Sequence, residues 1–465
     1  MSIPDELLAI VAPHGQRHLL AFWDQLDSPQ QQSLAEQIRG IDFDLMDRLY
    51  QGGGLLEDIH AVVDHAGSPP GFRLDAKSNR FMPDEARQKG IEAIAAGRLG
   101  IILVAGGQGT RLGFDHPKGM FPIGPISQRS LFAIHVEKIV ALGRRYGVRI
   151  PLYLMTSPAT HQETVAFFAE KGRFGLPEDD LRVFCQGTMP AVDAASGKLL
   201  LERQERIFQS PDGHGGMLAA LARSGALDDM RRRGIEQLFY FQVDNPLVDV
   251  GGPESVGYHL LCGSELSTQV VAKQEPLEKV GNVVEVDGRL RIIEYSDLPE
   301  TTARRRNADG SLAIWAGSIG VHVMERSFLQ RVADRGDGLP FHRAAKKVAF
   351  VDAAGKRIEP KQPNAVKFER FIFDLLPWAE NAVVIEVDPE RSFAPLKNAP
   401  GEKKDTAAWV QAQMVALWNQ WLRQAGATVA KGVVVEINPL FALDAAELAR
   451  KIQPGLHVAE ARYFC

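Results

Sequence analysis

A short apolar run that breaks off into glycine constrains this chain more than any other feature. From position 99 it reads LGIILVAGGQGTRLGFDHPKG, with Gly106, Gly107, Gly109 and Gly113 close together, Arg111 among them and Lys118 just beyond. An unbroken apolar run without helical period predicts a strand buried on both faces. IPLYLMT, LRVFCQG and LFYFQVD have the same character, and SLFAIHVEKIVALG and THQETVAFFAEKG read as helices between them. Strands alternating with crossover helices make an α/β chain with a mixed, mostly parallel sheet flanked by helices. In such a sheet the ligand crevice lies at the carboxyl ends of the strands, so the loops that follow strands should carry the chemistry.

The loop after Ala105 has the make-up of an anion cradle, because glycines let backbone amides turn inward without obstruction by Cβ. Two familiar cradles fail on spacing. A dinucleotide fingerprint needs glycine at 112, where Leu112 stands, and this counts against a nicotinamide-dependent oxidoreductase. A phosphate loop needs glycine, lysine and a hydroxyl in succession, whereas Lys118 lies between Pro117 and Gly119. What remains is G-G-x-G-T-R-L-G followed by P-K-G. Two side-chain cations beside an anion suit a reaction that builds negative charge, which favours phosphoryl or nucleotidyl transfer.

Elsewhere the pattern is less specific. Residues 1–97 read as a helical N-terminal domain that packs on the main one. In SPQQQSLAEQI, Ser28 is the expected N-cap, Pro29 the first helical residue and Gln31 the capping-box partner, with Leu34 and Ile38 on one face and Ile41 and Leu45 continuing it. Residues 98–389 make the expected catalytic domain, with a mixed or antiparallel addition between 266 and 325 where β-branched residues crowd. Residues 390–465 read as a small C-terminal domain around a helix with Trp409, Trp418 and Trp421.

A net charge of -5 gives no general attraction to nucleic acid or acidic membranes. No apolar run reaches the roughly 18 residues that span a bilayer, and the amino terminus lacks the basic start of a secretory signal. Cys185, Cys262 and Cys465 are far apart, which argues against a disulfide framework or thiolate zinc site and makes the cytoplasm the expected compartment.

Eight ordered segments, among them LVAGGQGTRLG…HPKG, FCQG, SPDGHGGMLAAL, QVDNPLVDV, VEVDGRLRIIEYSDL, WAGSIGVHV and FAPLKNA, resemble the UDP-sugar pyrophosphorylase superfamily, most closely its eukaryotic-type UDP-N-acetylglucosamine members. The resemblance covers about 98 to 440. It implies a nucleotidyltransferase-type, Rossmann-like core that makes UDP-sugar and pyrophosphate from UTP and a sugar 1-phosphate, most closely N-acetylglucosamine 1-phosphate. It also implies that Ala105, Gly106 and Gly107 lie beneath the uridine and that Gln186 reads the uracil edge, an amide being able to donate and accept at once. Gly215 would let the backbone approach the base, and His214 either contacts ribose or phosphate or only braces its turn. Asp244 matches a phosphate-side aspartate and is the expected Mg2+ ligand. Gly281, Glu294, Tyr295, Gly317 and Ser318 match sugar-contacting positions; Ser318 replaces an asparagine of the acetylglucosamine enzymes, which leaves glucose, galactose or a broad range open. Arg111, Lys118 and Lys397 are the expected catalytic cations, while Lys273 and Lys367 are expected to be solvated surface charges. A non-catalytic UDP-sugar sensor on the same fold is the remaining alternative.

Overall fold

The computed structural model describes residues 2–53, 59–336 and 338–465. The chain divides into two compact units that do not follow its linear order: one takes 1–58, 186–219 and 337–374, the other 59–185, 220–336 and 375–465. Residues 1–97, a single stretch in sequence, are therefore shared between them.

The larger unit is built on a sheet whose strands are β1 (Gly71–Phe72), β2 (Leu99–Val104), β3 (Leu152–Thr156), β4 (Leu181–Cys185), β5 (Gln237–Gln242), β6 (Leu266–Ala272), β7 (Gly281–Val286), β8 (Arg289–Ile293), β9 (Ala316–Glu325) and β10 (Val383–Glu386). Their order is β1-β10-β6-β9-β5-β2-β3-β4, with β7 beside β9 and β8 beside β7. β5, β2, β3 and β4 are mutually parallel. β9 runs antiparallel to β5, β6 and β7, so the addition expected near 266–325 is antiparallel and enters the middle of the sheet. The helix Leu131–Tyr146 buries Leu131, Phe132, Val136 and Ile139; Ser130 caps its start by accepting from the Ala133 N–H at 3.1 Å, and Gly147 ends it at a φ of 69°. The helices Pro83–Ala95 and Pro253–Leu261 cross so closely that a Cβ on Gly90 would strike the Pro253 carbonyl and one on Gly257 the Ala86 carbonyl.

In the smaller unit the helices Asp5–Val11, Ser28–Arg39 and Phe43–Tyr50 do not close a core among themselves. Leu7, Leu34, Ile38 and Leu49 share one with Val192, Leu199, Ile207 and Phe368, which come from segments much later in the chain. The capping box sits one residue earlier than expected. Asp27 accepts from the Gln30 N–H at 2.9 Å and Gln30 answers the Asp27 N–H at 3.0 Å, which makes Ser28 and Pro29 the first helical residues. A carboxylate there also interacts with the helix dipole, which a serine cannot do as strongly. The stripe through Ile41 and Leu45 is interrupted: Asp42 caps a new helix by accepting from the Leu45 N–H.

Among the described residues, no helix is long and apolar enough to cross a membrane.

Candidate active site

β2 and β5 pair in parallel with Val104 opposite Gln242, so whatever follows each emerges at the same end of the sheet. After β2, the Ala105 N–H donates to the Met155 carbonyl at 2.8 Å, and the Gly106 carbonyl accepts from the Ser157 hydroxyl at 2.7 Å. The glycine loop then closes on itself: the Gly109 N–H donates to the His116 carbonyl at 2.9 Å and the Lys118 N–H to the Gly107 carbonyl at 3.0 Å. Lys118 is thereby returned to the start of the loop. Gly109 and Gly113 shape that path, because a Cβ on Gly109 would lie 2.7 Å from the Phe114 carbonyl and Gly113 has a φ of 69°. A Cβ on Gly107 would meet nothing within 4 Å, so this position leaves an open face.

The turn after β5 receives Lys118. Its Nζ donates to Asp244 Oδ2 at 3.3 Å, with both side chains mostly covered. The Asp244 carbonyl accepts from the Leu396 N–H at 2.8 Å. Asn245 fastens the same segment: Oδ1 accepts from the Ala394 N–H at 3.0 Å, and Nδ2 donates to the Ser392 carbonyl at 2.7 Å. One buried amide thus holds the stretch leading to Lys397 against the end of β5. From the helix Leu131–Tyr146, His135 Nε2 donates to the Val243 carbonyl at 3.0 Å, and Lys138 Nζ donates to the Pro246 and Val248 carbonyls at 2.6 and 2.8 Å. Burial holds His135 neutral, with its pKa down at about 3; burial likewise lowers Lys138 to about 8, against the pull of the Asp249 carboxylate.

Lys397 is exposed, and its N–H and that of Asn398 donate to the Asp405 carbonyl at 2.8 and 2.9 Å. Asp405 has a φ of 61°, a conformation side chains other than glycine seldom adopt. Burial raises its carboxyl pKa, while the charges of Lys397, Lys404 and Lys118 lower it and Asp244 raises it. Lys118, Lys397, Asp244 and Asp405 therefore form one electrostatic cluster. Arg111 is exposed on the turn Thr110–Leu112 and has no ion-pair partner among the described residues.

The positions matched to the sugar lie on β7 and β9 and just past the end of β8. Gly281 stands opposite Ser318 in the ladder. A Cβ on Gly281 would lie 2.9 Å from Ile292 Cγ2 and 3.7 Å from both Glu294 Oε1 and Ser318 Cβ, so these side chains surround one spot. Beside them Gly317 leaves no room for a Cβ, which would come within 2.8 Å of Val280 Cγ2 and 3.4 Å of Lys273 Cγ. Tyr295 is 48% exposed. Gly320 takes a φ of 69° inside β9, and Ser318 Oγ accepts from its N–H at 3.3 Å.

Gln186, His214 and Gly215 belong to the smaller unit. Gln186 is buried, with Nε2 3.5 Å from Asp212 Oδ1 and from the Gly213 carbonyl. His214 Nδ1 accepts from the Ile372 N–H at 3.2 Å, and its ring stacks on Phe371 with centroids 5.2 Å apart. Burial, aided by His342, brings its pKa down to about 4. With Nδ1 accepting, the proton of the neutral ring sits on Nε2, which is left as a donor. Gly215 is required by packing: a Cβ would lie 2.6 Å from Arg370 C and Phe371 N.

A family described as UTP--glucose-1-phosphate uridylyltransferase matches residues 75–438. The chain belongs to that uridylyltransferase family. It is similar to the Saccharomyces cerevisiae UDP-N-acetylglucosamine pyrophosphorylase, 34% identical over 91% of this chain and 92% of the yeast protein. It is likewise similar to the human UDP-N-acetylhexosamine pyrophosphorylase-like protein 1, 34% identical over 92% of this chain and 87% of that one. The crystal structure of the uridine diphosphate N-acetylglucosamine pyrophosphorylase from Trypanosoma brucei in complex with inhibitor superposes with a TM-score of 0.82 at 25% identity, covering 99% of each chain. The mixed, mostly parallel sheet read from the sequence is the fold of that structure. As a uridylyltransferase of this family, the chain is a UDP-sugar pyrophosphorylase whose substrates are UTP and a sugar 1-phosphate.

Several residues of this uridylyltransferase escaped the sequence. Asn245 was visible only as the neighbour of Asp244, and Asp405, His135 and Lys138 carry no motif that would mark them. Lys273 and Lys367 are not solvated charges. Lys273 is 6% exposed, with Nζ donating to Asn282 Oδ1 at 2.6 Å and to the Pro276 carbonyl at 3.2 Å; burial lowers its pKa. Lys367 lies on the middle strand of a three-stranded sheet with its ammonium 4.8 Å from the centre of the Phe208 ring, and burial lowers it too. Lys273 was misjudged because the chain folds back on it through Pro276 and Asn282, and Lys367 because its strand is flanked by 342–346 and 192–193 and its ammonium meets the distant Phe208.

Proposed function

We propose that this uridylyltransferase forms UDP-N-acetylglucosamine from UTP and N-acetylglucosamine 1-phosphate by direct displacement. The observation that carries the mechanism is the meeting of Lys118, Asp244 and the Lys397 segment at the carboxyl ends of β2 and β5. The phosphate oxygen of the sugar 1-phosphate is already anionic and needs no strong base. It attacks the α-phosphorus of UTP, the bond to the bridging oxygen of the β-phosphate breaks, and that oxygen leaves with pyrophosphate. Lys118 and Arg111 stabilise the departing pyrophosphate, Lys397 screens the incoming phosphate, and the Gly107 face lets the nucleotide approach the backbone. Gln186 and the Nε2–H of His214 serve the base and ribose. Gly281, Glu294, Tyr295, Gly317 and Ser318 hold the sugar.

Magnesium is part of this proposal. Among the described residues no group of three or more His, Cys, Asp or Glu could hold a metal. Mg2+ bound to nucleotides needs only one or two carboxylates plus phosphate oxygens, and Asp244 with Asp405 fits that requirement. The ion would neutralise phosphate charge, and Lys118 would then share Asp244 with it. On the spacing of the cysteines, the enzyme works in the cytoplasm.

The sugar assignment is supported by the likeness to acetylhexosamine enzymes over most of both chains. Ser318 favours a second reading, a broader or non-acetylated range, because a short hydroxyl occupied with the Gly320 N–H offers less to an acetamido group than an amide would. A panel of acetylated and non-acetylated glucose and galactose 1-phosphates with UTP, read by pyrophosphate release, should give kcat/KM at least about tenfold higher for the acetylated sugars, the worth of one good hydrogen bond. A reversed ranking overturns the assignment. EDTA should abolish turnover and Mg2+ restore it.

A further inference from the structure

Lys273, the residue after β6, is buried, and the mechanism above makes no use of it. An ammonium that gives up its water must find acceptors in the protein. The acceptors are Asn282 Oδ1 at 2.6 Å and the Pro276 carbonyl at 3.2 Å. A lysine can only donate, so it fixes which way the Asn282 amide turns. With Oδ1 facing the ammonium, Nδ2 is left to donate to the Val280 and Ile293 carbonyls, each at 3.3 Å. These belong to the residues immediately before Gly281 and Glu294.

The strand registers place this pair behind the positions matched to the sugar. Gly281 stands opposite Ser318, whereas Asn282 stands opposite Gly317 on β9 and Ile293 on β8. Successive side chains point to opposite faces of a sheet, so the two sets lie on opposite sides. Glu294 Oε1 and Ser318 Cβ surround the spot at Gly281 on one side. On the other, Val271 stands opposite Gly317, and Lys273, two residues on, projects the same way. A Cβ on Gly317 would lie 3.4 Å from Lys273 Cγ, so the lysine stem passes over that glycine on its way to Asn282. Packing alone does not ask for a charge here, because a methionine would fill the same space without the cost of desolvation.

We propose that Lys273 is a positioning residue for the sugar 1-phosphate: through Asn282 it holds the backbone on either side of Gly281 and just before Glu294, from the back of the sheet. This rests on the assignment of Gly281, Glu294 and Ser318 to the sugar. The contacts named all lie within residues 271–318, so the effect falls on the sugar 1-phosphate and not on UTP.

Steady-state kinetics with the sugar 1-phosphate ranked first in the panel above test this. Lys273→Met should raise KM for the sugar 1-phosphate by about tenfold or more and leave KM for UTP within about twofold. A loss of folded protein alone would lower kcat and move neither KM, so the split separates positioning from stability. Glu294→Gln should raise the same KM, and in Lys273→Met/Glu294→Gln the combined effect should fall short of the product of the two, because the lysine acts through the glutamate. If Lys273→Met does not fold, Asn282→Asp, which keeps an acceptor for the lysine and gives up the donor to Val280 and Ile293, should raise the sugar KM severalfold. An unchanged sugar KM in these variants, equal rises for sugar and UTP, or a fully multiplicative effect with Glu294→Gln overturns the inference and leaves the sugar assignment standing. A sugar KM unaltered in Glu294→Gln itself overturns that assignment, and this inference with it.

Discussion

The two units differ in what their cores are made of and in what those cores can hold. The larger rests on one continuous sheet, and its strand ends carry Lys118, Asp244 and, through Asn245, the segment of Lys397. The smaller is assembled from three distant stretches around Leu34, Ile38 and Phe368, and it carries Gln186 and a neutral His214. Charge is concentrated in the first and neutral hydrogen bonding in the second. The parallel register of β2 and β5 brings the loops that carry these charges out at one end of the sheet, whereas the smaller unit offers directional donors and acceptors that suit a base. If the proposed mechanism holds, substitutions in the larger unit should lower turnover and those in the smaller should weaken nucleotide binding.

The strongest test of that division is Lys118→Ala. Removal of a charge-stabilising group should lower kcat by on the order of 10²–10³ with the thermal midpoint nearly unchanged, measured by steady-state pyrophosphate release. A change confined to KM would erase the contrast.

Acid probes the larger unit next. Burial depresses His135 and His259 to about 3 from an ordinary 6.5, so both are neutral in the fold and protonate first in the unfolded chain. Stability is then fully present above about pH 6.5 and falls as pH drops toward 3. At pH 5.5 each should cost on the order of 1–1.5 kcal/mol relative to pH 7.5, read from urea midpoints. His259→Phe should flatten the profile; an unchanged slope would show that the ring is not held neutral.

A smaller effect is expected from Gln186→Ala. It should raise KM for UTP by about tenfold, roughly one lost hydrogen bond to the base, and leave kcat within about twofold. A fall in kcat with KM constant would move this residue to the side of the cations.

Smallest is Asp27→Ala, which removes a cap in the helical part of the smaller unit. About 1 kcal/mol of stability should be lost, with kcat and KM unaltered. Altered kinetics would mean that these helices do more than support the Gln186 and His214 segments.

The buried strands, the mixed or antiparallel addition and the glycine loop were legible in the sequence because each depends on local patterning: apolar runs, β-branched crowding, glycine where a Cβ strains; the order of the strands in the sheet was not. Lys118 and Asp244 could be nominated on the same ground, since both follow buried strands. The cap at Asp27 was read one residue late because Asp27 and Ser28 are both good caps, and only backbone geometry chooses between them. Gly215 was legible as a glycine, while the backbone of Arg370 and Phe371 pressed against it left no trace in the sequence.

The sequence by itself determined which segments are buried strands, where the backbone must turn without a Cβ, and which side chains bear the charge. Tertiary structure decided the rest: that the helices between residues 5 and 50 complete their core with residues from 186–219 and 337–374, that Asn245 holds the segment leading to Lys397 at the end of β5, and that Lys273 is buried. The physical reason is range. Strand and turn preferences act over a few neighbouring residues and leave a trace in them. Burial and electrostatic partnership arise from segments that sequence order keeps far apart.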